Sequence, residues 1–258
     1  HPIKASDNPT QKTNLKKTQD IKNSGPSLGS VVGFFSLEMS SSQLAARILS
    51  EASAVPSDQI RRGEMSEAEF RRFVEAAQQL ENCTLYIDDS AALPISTLTA
   101  RARRLKRTYG LDVLIVDYLQ LVRPASSKDN RVNEISEITQ GLKAIAKEFN
   151  IPVVALSQLS RKVEDREEKR PQLADLRESG SIEQDADLVV FLYREEYYLA
   201  RTEPPEGTEK HAIWTNKMEK IHNVAEAIVA KNRHGPISRI RLHFNASNTK
   251  FSDLAETS

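Results

Sequence analysis

VLIVDY, residues 113–118, is a continuous apolar run that ends at an acidic side chain, Asp117. An unbroken apolar run is typical of a strand that is covered on both faces, as in a parallel sheet. Runs of the same character occupy residues 31–37, 84–89, 152–158 and 188–194. Helical patterns separate these runs, and the alternation predicts an α/β fold in which helices flank a parallel sheet on both sides.

The boundaries of the intervening helices can be read from the sequence. Residues 40–43 and 66–69 each match a capping box, in which a serine and a Gln or Glu three positions later satisfy the first backbone amides. A basic stretch at residues 97–109 ends at Gly110. Apolar residues recur at helical spacing through residues 135–149, immediately before the next strand.

The two ends of the chain have different patterns. Residues 226–232 and 238–245 flank a His-Gly-Pro turn signal, which predicts a C-terminal antiparallel hairpin. The polar stretch between residues 194 and 223 contains prolines and a glycine, and we interpret it as a surface loop. Residues 1–30 are too polar to offset the entropy of ordering, so we expect a disordered tail ahead of one domain at residues 31–258.

Composition limits the class of protein. The 258 residues carry 36 Lys and Arg against 36 Asp and Glu, which excludes a uniformly basic nucleic-acid coat but leaves room for local basic loops. The single cysteine, Cys83, cannot form an intramolecular disulfide, which fits a reducing compartment. No apolar run approaches the roughly 20 residues that span a membrane. Since the first residues lack a secretory signal, we expect a cytoplasmic protein.

Polar side chains stand where the predicted strands end. Glu38 follows the run at 31–37, Asp117 follows the apolar residues 113–116, and Gln158 ends the run at 152–158. Ligands of open parallel sheets bind outside the carboxyl ends of the strands. We therefore expect these three side chains to meet at one edge of the sheet.

Each of these side chains has a role in nucleotide chemistry and a simpler alternative. Asp117 can hold Mg²⁺ beside phosphates, usually through water, or it caps the following turn. Glu38 can act as a general base towards an attacking water, or it favours the dipole of the helix that follows. Gln158 can sense a γ-phosphate by hydrogen bonding, or it is a polar residue at a strand end.

Two polar segments are candidates for contact with a nucleic acid. In residues 175–187, Arg177 and a glycine, Gly180, precede a buried strand, and backbone amides with an arginine suit a phosphodiester chain without reading bases. The alternative is a solvated connector. Residues 123–134 include Arg131 and follow the Asp117 strand. Neither segment has an aromatic platform, which favours tracking of the backbone over stacking of bases.

Lys231 and Arg233 lie at the end of the first hairpin strand. Because they alternate along the strand, they point to one face. Cations there can reach a neighbouring subunit and stabilise phosphoryl-transfer charge, as an arginine finger does. The alternative is a pair of surface charges.

Taken together, several motifs resemble the ATPase domain of the DnaB-type replicative DNA helicase. The resemblance extends from about Val31 to Leu254, and its most specific parts are FFSLEM (34–39), LIVDYLQL (114–121), DLRESGSIEQDAD (175–187) and KNRHGP (231–236). It implies a RecA-like sheet with a mixed edge, in a hexameric ring around single-stranded DNA. It also implies ATP and Mg²⁺ between subunits, 5′→3′ translocation, and primase and a helicase loader as partners.

The resemblance also implies roles for particular residues. Glu38 matches the catalytic glutamate, Asp117 the Walker B aspartate, which holds Mg²⁺, and Gln158 the γ-phosphate sensor. Lys231 and Arg233 match the pair that acts on a neighbouring subunit's nucleotide. The DNA-binding matches are Arg177, Glu178 and Gly180, together with Arg131 in the other central-channel loop.

One feature of that family is missing from the sequence. Family members carry a glycine-rich phosphate loop that ends in Gly-Lys-Thr or Gly-Lys-Ser, whereas residues 25–30 contain glycines without a lysine and lead into a strand. The family's N-terminal helical domain is missing too. We therefore expect an incomplete chain that hydrolyses ATP poorly. The alternatives are an ATPase-deficient chain that binds DNA and joins rings, or another RecA-fold ATPase such as a recombinase.

Overall fold

The computed structural model describes residues 15–17, 29–125 and 130–254, and for residues 15–17 and 177–179 it describes the backbone alone. The elements are β1 (Leu15–Lys17), β2 (Val32–Ser36), α1 (Ser41–Ser53), α2 (Ser57–Arg62), α3 (Glu67–Asn82), β3 (Leu85–Asp88), α4 (Ile95–Tyr109), β4 (Val113–Asp117), α5 (Arg131–Phe149), β5 (Val153–Ala155), α6 (Gly180–Asp185), β6 (Leu188–Tyr193), α7 (Glu195–Leu199), α8 (Glu209–Ile221), β7 (Val224–Asn232), β8 (Ser238–Asn245) and β9 (Lys250–Asp253). Short 3-10 helices lie at Leu119–Leu121, Arg161–Asp165, Leu173–Ser179 and Ala200–Thr202.

The parallel sheet that the sequence predicts is present. Strands β3, β2, β4 and β5 lie side by side in parallel, and β1 pairs with the outer edge of β3 in the antiparallel direction. The prediction of an α/β fold with a mixed-edge sheet is confirmed. Ser36 of β2 lies opposite Asp117 of β4, so these neighbouring strands end at the same level.

The prediction that residues 188–194 add a strand to the parallel sheet is wrong. They form β6, which pairs antiparallel with β7 in a second sheet of order β6-β7-β8-β9. Val189 and Phe191 of β6 are buried, whereas the alternate residues Leu188, Val190 and Leu192 are exposed although they are apolar. An unbroken apolar run does not reveal that one face of its strand is uncovered. The predicted hairpin is confirmed as β7 and β8, and β9 extends it.

The two sheets share a hydrophobic core with α4 and α5. Leu114 and Val116 of β4, Ile138 of α5 and Phe191 of β6 all belong to one buried cluster. At Gly33 of β2, an added Cβ would lie 2.8 Å from the Cδ2 atom of a leucine of α4, so the glycine permits the close approach of helix and strand. Among the described residues, no helix has both the length and the apolar character needed to cross a membrane.

The predicted helix boundaries agree with the structure. Ser40 caps α1 with Gln43 as the reciprocal partner, and Ser66 caps α3 with Glu69 in the same way. The hydrogen bonds from Ser66 lower the pKa of Glu69. Helix α4 ends at Gly110, whose positive φ of 78° suits a glycine. The cap at Ser40 begins α1 directly after the turn that carries Glu38.

Two predictions about irregular segments need correction. The stretch at 194–223 is not simply a loop, because it contains α7 and α8. Thr208 caps α8 by accepting a hydrogen bond from the His211 amide, and the Nε1 of Trp214 in α8 donates to the Leu199 carbonyl at 2.9 Å. Within the predicted tail at 1–30, Leu15–Lys17 form an edge strand, and residues 1–14 and 18–28 lie outside the described residues.

Candidate functional site

The structure places Glu38, Asp117 and Gln158 at the carboxyl edge of the parallel sheet. Asp117 is the last residue of β4, and its carbonyl accepts a hydrogen bond of 2.8 Å from the Leu37 amide. Glu38 follows in the turn between β2 and α1, and Gln158 lies three residues beyond the end of β5. Because the sheet order is β2-β4-β5, the three side chains follow adjacent strands.

The carboxylates of this edge interact electrostatically. Burial raises the pKa of Asp117, the nearby negative charge of Glu38 raises it further, and Arg47 of α1 partly offsets these effects. Glu38 is exposed, whereas Asp117 is half-buried. The arrangement therefore holds two acidic groups near each other at an open edge. The sequence analysis missed Arg47, because it lies within a helix and belongs to no recognised motif.

Gln158 is held in place by Gln120, a second residue that the sequence analysis missed. The Gln120 Oε1 accepts a hydrogen bond of 3.2 Å from the Gln158 amide. The Gln120 Nε2 donates to the Ser157 Oγ at 3.0 Å and to the Gln158 carbonyl at 3.2 Å. Gln120 lies in the 3-10 helix that follows β4, so it joins the ends of β4 and β5. The side chain of Gln158 is exposed.

Arg131 lies close to the same junction. It is the first residue of α5, and its guanidinium donates to the Gln120 carbonyl at 2.8 Å and to the Glu134 carboxylate at 2.9 Å. Half of its side chain is exposed. Residues 126–129 of the predicted DNA loop lie outside the described residues.

The segment predicted to grip DNA is a 3-10 helix that leads into α6, and not an irregular loop. Arg177 and Glu178 belong to this 3-10 helix, and their side chains lie outside the description. Gly180 begins α6, and an added Cβ there would meet nothing within 4 Å. An ion pair holds the start of this segment in place, because the guanidinium of Arg166 binds the buried Asp175 carboxylate at 3.1 and 2.8 Å.

Lys231 and Arg233 turn towards α6 of the same chain. The Lys231 Nζ donates to the Glu183 carbonyl, and the Arg233 Nη2 donates to the Gln184 carbonyl. These carbonyls belong to the last residues of α6, where cations are favoured. The Arg233 amide also donates to the Asp187 carbonyl at 2.9 Å. The two cations therefore share one face, as predicted, but α6 already occupies that face.

Asp187 completes this junction between α6 and β7. Its carboxylate pairs with Lys143 of α5 and lies 3.7 Å from the Arg233 guanidinium. The hydrogen bond from Lys143, with the charges of Lys143 and Arg233, lowers the pKa of Asp187. Asp185 is bound in turn to α5, because the Thr139 hydroxyl donates to it at 2.6 Å.

A parallel sheet with acidic and amide side chains at its carboxyl edge, extended by an antiparallel sheet, defines the chain as a RecA-like α/β domain. Comparison with solved structures supports this class. One solved structure, described as an ATPase domain, matches with a TM-score of 0.75 and 36% identity, over 88% of this chain and 75% of that one. A DnaB-like replicative helicase, studied for its interactions with primase, matches with a TM-score of 0.76 and 35% identity, over 88% and 51%.

The chain belongs to the family of the DnaB-like helicase C-terminal domain, whose model matches residues 10–253. The replicative DNA helicase DnaB of Rickettsia typhi is 54% identical over 241 residues, which are 93% of this chain and 47% of that protein. The DnaB of Geobacillus stearothermophilus is 42% identical over 224 residues, or 86% and 46%. The resemblance inferred from the motifs is confirmed, and the recombinase alternative is rejected. The chain spans about half the length of these relatives.

Proposed function

We propose that this chain is the motor part of a replicative DNA helicase, which couples ATP hydrolysis between neighbouring copies to 5′→3′ movement along single-stranded DNA. The observation that carries the proposal is the joint position of Glu38, Asp117 and Gln158 at one edge of the sheet. An acid, a magnesium holder and an amide are the groups that phosphoryl transfer requires beside a triphosphate.

Glu38 acts as the general base in this proposal. It is exposed at the edge, where a water that attacks the γ-phosphate can reach it. Burial raises the pKa of Asp117, and the negative charge of Glu38 raises it further. A carboxylate pair of this kind suits a divalent cation that prefers oxygen ligands.

Asp117 would hold Mg²⁺, which supplies charge neutralisation at the β- and γ-phosphate oxygens when it is bound. Among the described residues, no group of three or more His, Cys, Asp or Glu side chains is placed to hold a metal ion. A single carboxylate such as Asp117 would suit Mg²⁺, which proteins usually bind through one or two carboxylates with water and substrate phosphates as the remaining ligands. Gln158 would hydrogen-bond the γ-phosphate.

Lys231 and Arg233 would act on the nucleotide of a neighbouring copy in a hexameric ring. In the isolated chain both cations bind carbonyls of α6, so the proposal requires them to leave α6 when a neighbour's triphosphate approaches. A triphosphate offers charged oxygens, which form stronger hydrogen bonds than neutral carbonyls do. The exchange is therefore favourable once the two copies meet.

Arg131, Arg177, Glu178 and Gly180 would contact single-stranded DNA. The open space at Gly180 leaves room for a backbone to approach. Other copies of the chain and single-stranded DNA are the partners that the proposal requires. By resemblance to the family, primase and a helicase loader would be further partners, and the protein would act in the cytoplasm.

ATP turnover further requires a phosphate loop. None of the chain's 9 glycines is followed by lysine, so the sequence contains no Gly-Lys-Thr or Gly-Lys-Ser. That loop and its lysine normally bind the β- and γ-phosphates. For the chain taken alone, a second candidate function is that it binds DNA and neighbouring copies and offers Lys231 and Arg233 to a partner that carries the loop.

The experiment compares ATP hydrolysis by the purified chain with that of a loop-joined chain, in which a Gly-Lys-Thr segment and its helix from a DnaB-type relative precede residue 29. We expect negligible DNA-stimulated hydrolysis by the chain alone and clear turnover by the loop-joined chain. A loop-joined chain with the loop lysine changed to alanine is the control and should be inactive. Turnover at an ordinary helicase rate by the chain alone would show that the loop is not required.

A further inference from the structure

We propose that Gln120 is a positioning residue that couples Arg131 to Gln158. The inference rests on the proposed function, since it takes Arg131 as a contact for DNA and Gln158 as the sensor of the nucleotide. Gln120 stands between them in space. Its backbone carbonyl binds Arg131, and its side chain binds the segment that carries Gln158.

The side chain of Gln120 uses both ends of its amide on one short segment. Oε1 accepts from the Gln158 amide at 3.2 Å, while Nε2 donates to the Ser157 Oγ at 3.0 Å and to the Gln158 carbonyl at 3.2 Å. These bonds fix the backbone from which the exposed Gln158 side chain projects. A displacement of Gln120 must therefore change where that side chain points.

The segment around Gln120 is held by its neighbours in the chain, because Leu119 and Val122 are both buried. The neighbouring Leu119 is buried, and its amide donates to the Leu156 carbonyl at 2.8 Å, which ties this 3-10 helix to the end of β5. Gln120 itself is half-buried, and its backbone carbonyl faces Arg131 of α5. The Gln120 carbonyl therefore keeps or loses a hydrogen bond according to what Arg131 binds, while the Leu119 side chain stays packed in the core.

Arg131 can exchange its partner. Its guanidinium binds the Gln120 carbonyl at 2.8 Å and Glu134 at 2.9 Å, and half of the side chain is exposed to solvent. A DNA phosphate is a stronger acceptor for a guanidinium than a neutral carbonyl is. Binding of DNA at Arg131 therefore removes a hydrogen bond from Gln120, and this loosens the hold of Gln120 on Gln158.

The test measures hydrogen–deuterium exchange of the Gln158 amide in the purified chain, with and without an oligothymidylate. DNA should accelerate this exchange roughly twofold to tenfold, the factor that corresponds to one net hydrogen bond. In Gln120→Met, which keeps the length of the side chain but not its hydrogen bonds, exchange should already be fast and should not respond to DNA. Affinity for DNA should stay unchanged.

Gln140→Met is the matched control, because the side chain of Gln140 is exposed on α5 and donates only a weak bond of 3.4 Å to Ser136. It should respond to DNA as the unaltered chain does. Arg131→Ala should show fast exchange in the absence of DNA. If the unaltered chain binds DNA and the Gln158 amide does not respond, or if Gln120→Met retains the response, the inference is wrong. If the unaltered chain does not bind DNA, the proposed function fails and the inference falls with it.

Discussion

The two acidic regions of the molecule differ in how their charge is balanced. At the carboxyl edge of the parallel sheet, burial and the charge of Glu38 raise the pKa of Asp117. At the junction of α6 with β7, pairing with Lys143 lowers the pKa of Asp187. In the first region a carboxylate is half-buried beside another carboxylate, whereas in the second the carboxylate is paired with cations.

This difference indicates what each region needs in order to work. The carboxyl edge is formed within one chain and gains stability when a cation arrives. The Lys231 and Arg233 pair is occupied by α6 and must be released before it can act elsewhere. In the proposed function, a nucleotide with Mg²⁺ would supply a cation at the first region, and its phosphates would attract the cations of the second.

The largest effect is expected from Arg233. In the loop-joined chain, Arg233→Ala should reduce DNA-stimulated turnover by roughly 1,000-fold or more, as the removal of an arginine finger does. Arg239→Ala is the control, because Arg239 is an exposed cation of the next strand, opposite Ile228. Steady-state hydrolysis checks the prediction.

Mixing then shows whether Arg233 acts across a boundary. Glu38→Ala and Arg233→Ala are each expected to be inactive, but a mixed ring contains junctions that join an intact Glu38 to an intact Arg233 from the neighbour. Part of the activity should return on mixing. Equal hydrolysis by Arg233→Ala and Arg239→Ala would place Arg233 outside the reaction, and a mixture without activity would contradict its action on a neighbour.

A second comparison contrasts buried and exposed ion pairs on α4. Asp88, at the end of β3, is fully buried, and Arg101 binds it at 2.9 and 2.6 Å. Arg101→Ala leaves this charge without its partner and should lower the free energy of unfolding by about 3–5 kcal/mol. Arg103→Ala, which breaks an exposed pair with Glu148, should have a much smaller effect.

Urea unfolding of the two variants measures the difference. The same measurement tests a contrast between two aspartates at the carboxyl edge. Asp88 is paired with Arg101, whereas Asp117 is proposed to hold a ligand. Similar losses of stability in the two variants would mean that Asp88 does not depend on Arg101.

The smallest effect concerns pH and has opposite signs in the two regions. The pKa of Asp117 is raised on folding, so its contribution to stability becomes less favourable as pH rises above the ordinary aspartate value. Asp117→Asn should therefore be more stable than the unaltered chain at neutral pH, by a margin that shrinks towards low pH. Unfolding by urea between acidic and neutral pH checks this.

Asp187 should behave in the opposite way. Its pKa is lowered on folding, so the stability that it contributes is present at neutral pH and is lost as pH falls through the folded value. Asp187→Asn should be less stable than the unaltered chain at neutral pH. The same sign of change in both variants would contradict the difference between the regions.

Much of the carboxyl edge was predictable, because it follows from chain order. Once the runs that end at Glu38, Asp117 and Gln158 are recognised as parallel strands, their ends must lie along one edge. The pairing of β6 was not predictable, since an apolar run looks the same whether its second face is covered or open. Helices α7 and α8 were not predicted, because the prolines and the glycine between them indicated a loop. Thr208 is nevertheless a residue type that commonly caps a helix.

The contacts that the sequence analysis missed depend on backbone groups that are distant in sequence. Gln120 reaches the Gln158 backbone, and Lys231 and Arg233 reach carbonyls of α6. Every residue has the same backbone groups, so a sequence motif does not predict hydrogen bonds to them. Arg47 is similar, because its effect on Asp117 arises only from the packing of α1 beside the sheet.

The most direct test of the carboxyl edge is single-turnover hydrolysis by the loop-joined chain with Glu38→Ala, measured together with nucleotide affinity. Loss of the general base should slow hydrolysis roughly 100-fold or more while ATP still binds. Glu81→Ala, a change at an exposed glutamate of α3, should leave both quantities unchanged. Hydrolysis by Glu38→Ala at the rate of the Glu81 control would contradict the assignment of this edge as the site of ATP chemistry.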